Sequence, residues 1–269
     1  MRHTSVHCLV ASTQRQLDDA LRVRWAVFGG EMHLLGAPPP ARREINCFDT
    51  LDTTVHLVVY ANGQPVATTR LLLPNPEVAR ENGAHLGIDL EQKFDLSAVG
   101  GPGQLFAETT RYCVLREWRG SEVLLCLQAA LYQESRRRGV THWIASANTE
   151  TDSPRDARLA LRVAAHRGLV SERWQVRAHA PGEPPAEPRA PLYSPEERLR
   201  AEGGRLDGLR LPRTLSFFAN KLGARFIGEP LFDAHFRLHS MPLVAALDEI
   251  PSSTLAHFEG PRTDARRAA

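Results

Sequence analysis

The run from residue 104 to residue 147 constrains the fold of this chain more than any other stretch. It reads strand, tight turn, helix, strand without a break. "QLFAETTRYCVL" (104–115) is β-rich, "SEVLLCLQAALYQESRRRG" (121–139) has helical spacing, and "THWIASA" (141–147) reads as a buried strand. Ser121 is placed to cap the helix start, with Glu122 at the positive helix end. Arg136, Arg137 and Arg138 sit at its negative end, and Gly139 stops it. Two strands in immediate succession around one helix imply a parallel pair with a crossover. The chain is therefore expected to be α/β, with helices packed on a sheet.

The flanking sequence adds to that core. Residues 13–31 carry apolar side chains at helical spacing, ended by Gly29-Gly30. "GAPPPARRE" (36–44) reads as a stiff loop. "VHLVVYANGQPVATTRLLLP" (55–74) is a hairpin turning on Asn62-Gly63, a dipeptide suited to positive φ. Residues 75–103 are polar, with a short helix expected near 76–83. Further elements are expected as a helix over 153–168, a strand over 173–178, and helix, glycine stop and strand over 212–230. A strand over 235–242 and a short helix over 242–250 follow. One domain spanning 1–269 is expected, with a proline-rich insert at about 179–212 and a disordered tail at about 255–269.

Composition excludes several classes. The net charge of +2 is too small to argue for a nucleic-acid partner. Cys8, Cys47, Cys113 and Cys126 are scattered, without CxxC or histidine spacing, and read as reduced thiols in a cytoplasmic protein with no metal site. The N-terminus lacks the apolar core of a signal peptide. No apolar stretch approaches the ~18 residues of a membrane span.

Two places could carry chemistry. Glu108 lies on an apolar strand, where desolvation would raise its pKa and make it a better proton acceptor. A salt bridge to Arg111 or Arg70 is the competing reading. Strand alternation puts Arg111 on the opposite face from Glu108, so the two can act together only across a bulge. The second place is Arg119-Gly120-Ser121, where a strand enters a helix and exposes backbone N–H groups to an anion. One glycine and Glu122 argue against a full pyrophosphate cradle. Arg136–Arg138 fit a solvated helix end. His56, His142, Phe217 and Phe218 fit the core.

Four segments in order carry a resemblance. "RVRWAVF" supplies Arg24 and Phe28; "EINCFDT" is an acidic stretch ending near Asp49; "TTRLLLP" places Arg70; "ETTRYCV" places Glu108 and Arg111. Together they resemble the acyl-homoserine-lactone (autoinducer) synthases and the related N-acyl amino acid synthases, of the GNAT-like acyltransferase superfamily. The likeness covers about 15–147, and more loosely 212–245. Departures are Leu34 for the family's tryptophan, Asn46 for its first acidic-stretch aspartate, and Ala219 where acetyltransferases often carry a tyrosine acid.

The resemblance implies a three-layer αβα GNAT-like fold with a central mixed, twisted sheet. It implies an N-acyltransferase that moves a fatty acyl group from an acyl carrier protein, or from acyl-CoA, to the amine of a small amino-acid-like acceptor. The product would be an N-acyl amino acid or a lactone-like quorum-sensing signal. Glu108 would take the amine proton while Arg111 orders the pocket. Arg24, Phe28, Asp49 and Arg70 would line the substrate side, with Asp49 and Glu44 or Asp52 receiving a cationic acceptor. Arg116, Arg119, Gly120 and Ser121 would hold the phosphopantetheine arm. An acyl carrier protein would dock near the 121–138 helix, with Arg136–Arg138 contributing. No tightly bound cofactor is expected. An acetyl-CoA-dependent acetyltransferase and a catalytically silent GNAT-like binding domain are the alternatives.

Overall fold

A computed structural model describes residues 5–35, 41–179 and 184–259. Among the described residues the first elements are β1 (Val6–Val10), α1 (Gln14–Trp25), β2 (Thr54–Ala61), β3 (Gln64–Leu72), α2 (Pro76–Asn82) and β4 (Phe94–Asp95). Then come β5 (Phe106–Val114), α3 (Glu122–Arg137), β6 (His142–Asn148), α4 (Pro154–His166), β7 (Arg177–Ala178) and α5 (Pro195–Glu202). The last are α6 (Arg213–Leu222), β8 (Arg225–Phe226), β9 (Leu231–Asp233), β10 (Leu238–Ala246) and α7 (Ser252–Phe258). They group into two compact units, one from Met1–Asn75, Leu105–Thr141 and Ser252–Ala269, the other from Pro76–Gln104 and His142–Pro251.

The first unit contains the antiparallel strands β1, β2, β3 and β5, paired in that order. The hairpin turn is as its sequence requires, with φ of 51° at Asn62 and 78° at Gly63. Helix α1 begins at a reciprocal capping box between Thr13 and Gln16. It does not stop at Gly29-Gly30. It widens into a π-turn, Ala26–Glu31, closed by Met32 N–H donating to the Val27 carbonyl at 2.9 Å. Gly29 serves packing here, because a Cβ at that position would lie 2.6 Å from the Trp25 ring. Val23 and Val27 pack with Cys113 of β5, and Phe28 and Leu115 lie against them. Helix α3 packs on β1, β2 and β3, with Ser121 as its N-cap.

The tail departs from expectation at its start. Residues through Phe258 form α7, which packs on α3, buries Phe258 and accepts a bond from Gln133 Nε2 at 3.1 Å. Residues 260–269 lie outside the described residues, as do 36–40 of the loop expected at 36–44.

In the second unit β6, β10 and β8 pair antiparallel, β9 pairs with β10, and β4 with β7. Parallel bridges join Val170 to Phe226 and Val176 to Gly228. Residues 242–246 are strand, not helix. Pairing of β10 with β6 from Ser240 to Ala246 overrides the local helical spacing, and only a short 3-10 turn, Leu247–Glu249, follows. The strand expected from 235 starts at Leu238, after a turn in which Arg237 has φ 55°. The strand expected over 173–178 shrinks to β7. The proline-rich insert is more than a loop. It contains α5, and Leu192 and Tyr193 are buried. Asp152 accepts the N–H groups of Arg189 and Ala190, and Asp156 accepts those of Leu192 and Tyr193. Ala219 is buried on α6, which ends at Gly223 in the left-handed region (φ 66°). Helix α2 forms where expected, whereas the core residues Ile88, Leu90, Phe94, Leu96 and Val99 lie in a stretch read as polar.

Candidate active site

Strand register gathers the candidates in the first unit. His56 of β2 lies opposite Arg70 of β3, and Arg70 lies opposite Thr110 of β5. Two residues further along, Leu72 lies opposite Glu108. Directly opposed residues share a face, and so do residues two apart on one strand. His56, Arg70, Thr110 and Glu108 are therefore on one face of the sheet. Glu108 is 4% exposed.

Arg111 joins them through a bulge. Thr68 pairs with Cys113 but Arg70 with Thr110, so Arg111 and Tyr112 together face the single residue Thr69. Arg111 adopts φ 60°, a left-handed conformation unusual for a residue with a Cβ. The alternation that would have separated Arg111 from Glu108 is broken here.

A buried ion network surrounds these positions. Arg24, in the last turn of α1, donates from Nη1 and Nη2 to the two oxygens of Asp49 at 2.7 and 3.0 Å, and from Nε to Glu44. Arg70 Nη1 donates to Asp49 Oδ1 at 2.9 Å and to Asn46 Oδ1 at 2.7 Å. Arg111 Nε donates to Glu44 Oε1 at 3.0 Å. His56 Nε2–H donates to the Asp49 carbonyl at 2.9 Å, which fixes its tautomer. Asp49 also closes a capping box by accepting the Asn46 N–H at 2.7 Å. Arg24 and Arg70 are 1% and 0% exposed, Asp49 2% and Glu44 4%.

Charge explains why this network can be buried. Burial alone would raise the Asp49 carboxyl, but the Arg24 and Arg70 guanidiniums outweigh it and hold Asp49 well below the usual carboxylate range. Burial lowers His56, which favours the neutral ring. Asp49 thus spends its oxygens on two arginines, and Glu44 bridges Arg24 to Arg111. The expectation that Asp49 receives an acceptor cation is therefore revised: its carboxylate anchors the arginines. Asp52 is exposed to solvent, two residues before β2. Phe28 packs against the apolar cluster of Val23, Val27 and Cys113.

Sequence reasoning missed two participants and gave a third another role. Asn46, read as a loss, supplies the carbonyl that Arg70 uses. His56, read as core, braces the Asp49 backbone. Glu44, the first residue of the acidic motif and named there as a partner for an acceptor cation, is the central bridge between Arg24 and Arg111.

The second candidate place is the entry to α3. A 3-10 turn, Arg116–Trp118, intervenes between β5 and the helix. Arg119 Nε donates to the Val114 carbonyl at 3.0 Å, and its Nη2 to Glu31 Oε2 at 2.5 Å. Gly120 has φ 82°, with nothing within 4 Å of where a Cβ would stand. Ser121 Oγ donates to the Trp118 carbonyl at 2.6 Å and accepts the Val123 N–H at 3.3 Å. At the far end of α3, Arg137 and Arg138 both donate to Glu134, with shortest contacts of 2.7 and 2.6 Å. This supports the structural reading of that basic cluster. No group able to hold a metal ion occurs among the described residues. None of their helices is long and apolar enough to cross a membrane.

Residues 23–129 match the acetyltransferase (GNAT) domain family. An L-ornithine N(alpha)-acyltransferase from Agrobacterium fabrum is 29% identical over 177 residues, covering 62% of this chain and 58% of the relative. The chain thus spans less than two thirds of that relative's length. Among solved structures, FeeM, an N-acyl amino acid synthase from uncultured soil microbes, aligns at a TM-score of 0.52 with 9% identity, over 94% of this chain and 96% of that one. A CoA-dependent acyl-homoserine lactone synthase, BjaI, aligns at 0.48 with 19% identity, over 97% and 96%. The chain has a GNAT-like α/β fold, and its residues 23–129 match the acetyltransferase (GNAT) domain family.

Proposed function

We propose that this chain is an N-acyltransferase that moves a fatty acyl group from a phosphopantetheine thioester to the amine of a small amino acid or similar acceptor. The observation that carries this reading is the bulge in β5. It joins Arg111 to the Arg24–Glu44–Asp49–Arg70 network while Glu108 stays on the strand face that holds Arg70.

The chemistry follows from charge. Three guanidiniums against Glu44 and Asp49 leave one positive charge, and Glu108 supplies the opposite one. That balance suits an acceptor that brings both signs, with its ammonium toward Glu108 and its carboxylate toward Arg111. Arg111 is the most accessible of the three arginines, with its side chain 9% exposed. Glu108 takes a proton from the ammonium. The amine nitrogen attacks the thioester carbonyl, the C–N bond forms, and the C–S bond breaks. The proton already on Glu108 passes to the departing thiolate, and Glu108, ionised again, takes the second amine proton and releases it to solvent. A backbone N–H at the strand would stabilise the developing oxyanion.

On the donor side, Arg116, Arg119, Gly120 and Ser121 would hold one phosphate of the arm. An acyl carrier protein is the favoured donor, steered by Arg116 and Arg119. The match to an acetyltransferase domain favours acetyl-CoA as the second reading. To test both, the purified chain is incubated with acetyl and long-chain thioesters, on a carrier protein and on CoA, with a panel of amino acids. Mass spectrometry reads both halves of any amide. Long-chain amides support the proposal; acetyl amides alone support the second reading; no amide from any pair counts against both.

A further inference from the structure

Glu31 has no part in the chemistry above, yet it occupies the donor turn. It is the last residue of the π-turn that ends α1. Its Oε1 accepts the backbone N–H of Arg116 at 3.1 Å, and its Oε2 accepts Arg119 Nη2 at 2.5 Å. One carboxylate thus bridges a backbone amide and a guanidinium, which is how a phosphate oxygen pair binds at such a turn. The contact spans 85 and 88 positions of sequence. Both side chains are partly exposed, 47% for Arg119 and 23% for Glu31, so an incoming anion can reach the pair.

Resting on the reading that this turn receives the donor, we propose that Glu31 is an internal anion that competes with the donor phosphate for Arg119 and the Arg116 amide. A phosphate-bearing arm must displace the carboxylate, and the displaced group then repels it. Glu31 therefore reduces the advantage that a phosphate-bearing arm has over an arm without a phosphate. An arm without a phosphate leaves the latch closed, whereas an arm whose phosphate reaches Arg119 opens it. The latch sits at the end of a π-turn, an irregularity often found at functional sites.

A plainer role exists for the same contacts, since Glu31 also caps the first N–H of the Arg116–Trp118 turn. The variants separate the two roles. Glu31→Gln keeps a carbonyl for the Arg116 amide and removes the charge; Glu31→Ala removes both. The donors are acyl-phosphopantetheine and acyl-pantetheine, which differ by one phosphate. The readout is the ratio of their KM values, pantetheine over phosphopantetheine. The latch predicts that Glu31→Gln raises this ratio by about two- to fivefold, the worth of one exposed ion pair. A cap alone predicts no change in the ratio for Glu31→Gln and an equal loss with both donors for Glu31→Ala. That result, or a fall in the ratio, overturns the latch.

Arg119→Gln distinguishes this failure from failure of the donor assignment. If Arg119→Gln lowers the ratio while Glu31→Gln does not raise it, the donor turn stands and the latch falls. If neither variant moves the ratio, the donor assignment at this turn falls, and the latch with it. Far-ultraviolet circular dichroism of each variant guards against loss of fold.

Discussion

Asp49 concentrates the physics of the candidate site in one carboxylate. It is buried, held ionised by Arg24 and Arg70, and tied to the Asn46 amide. Removing one partner of such a network strands the others in a low dielectric. Asp49→Asn should therefore cost about 3–5 kcal/mol of unfolding free energy, read by urea denaturation. A cost within the ~0.5 kcal/mol typical of surface substitutions would show that the network bears little of the fold. The residues themselves were partly legible. Arg24, Arg70, Glu108 and Arg111 stand in short motifs that can be matched one by one. What Asn46, Glu44 and His56 do was not legible, because each acts on a partner far away in sequence. No local pattern says that Asn46 Oδ1 meets Arg70, or that Glu31 meets Arg119.

At the scale of elements, local signals succeeded where the chemistry is local. Asn62-Gly63 names its own turn, and Ser121 its own cap. They failed where pairing decides. The sequence "PLVAALDEI" has helical spacing, but pairing with β6 claims it as strand from Pro242 through Ala246. Gly29-Gly30 reads as a stop, but the structure uses Gly29 to admit the Trp25 ring and carries the chain on through a π-turn to Glu31. Gly29→Ala should therefore destabilise the first unit by about 1–3 kcal/mol, the usual cost of overpacking. The shift in denaturation midpoint measures this. A Trp25→Ala background should relieve most of the added cost, since the clash is with that ring. A Gly29→Ala penalty independent of Trp25 would mean that the π-turn backbone, not packing, requires glycine.

Across the whole molecule, acid should act in two stages. Burial is the first cause lowering His56, His142 and His239, so their folded pKa values lie below the unfolded ~6.5. As pH falls through ~6.5 the unfolded chain binds protons that the folded chain refuses, and stability declines until the folded values are passed. Asp49, Glu134 and Asp156 act later: burial opposes them, but their arginine partners lower them. Their contribution is present above the unfolded carboxylate range, near ~4, and is lost as pH falls through the lower folded values. Urea midpoints taken from pH 8 to pH 3 should fall first between about 6.5 and 5, and again below about 4. A flat profile down to pH 5 would contradict the histidine assignment.

The most direct test of the proposed chemistry is single-turnover acyl transfer with saturating long-chain thioester and amino acid, wild type against Glu108→Gln. Glutamine keeps the shape of the side chain and removes its ability to take a proton. The rate of amide formation should fall by about 10²–10⁴, the usual worth of a general base. The wild-type rate should rise with pH through the pKa of the base, and that limb should vanish in the variant. An unchanged rate and an unchanged pH profile in Glu108→Gln would leave Glu108 a buried structural carboxylate and contradict the account.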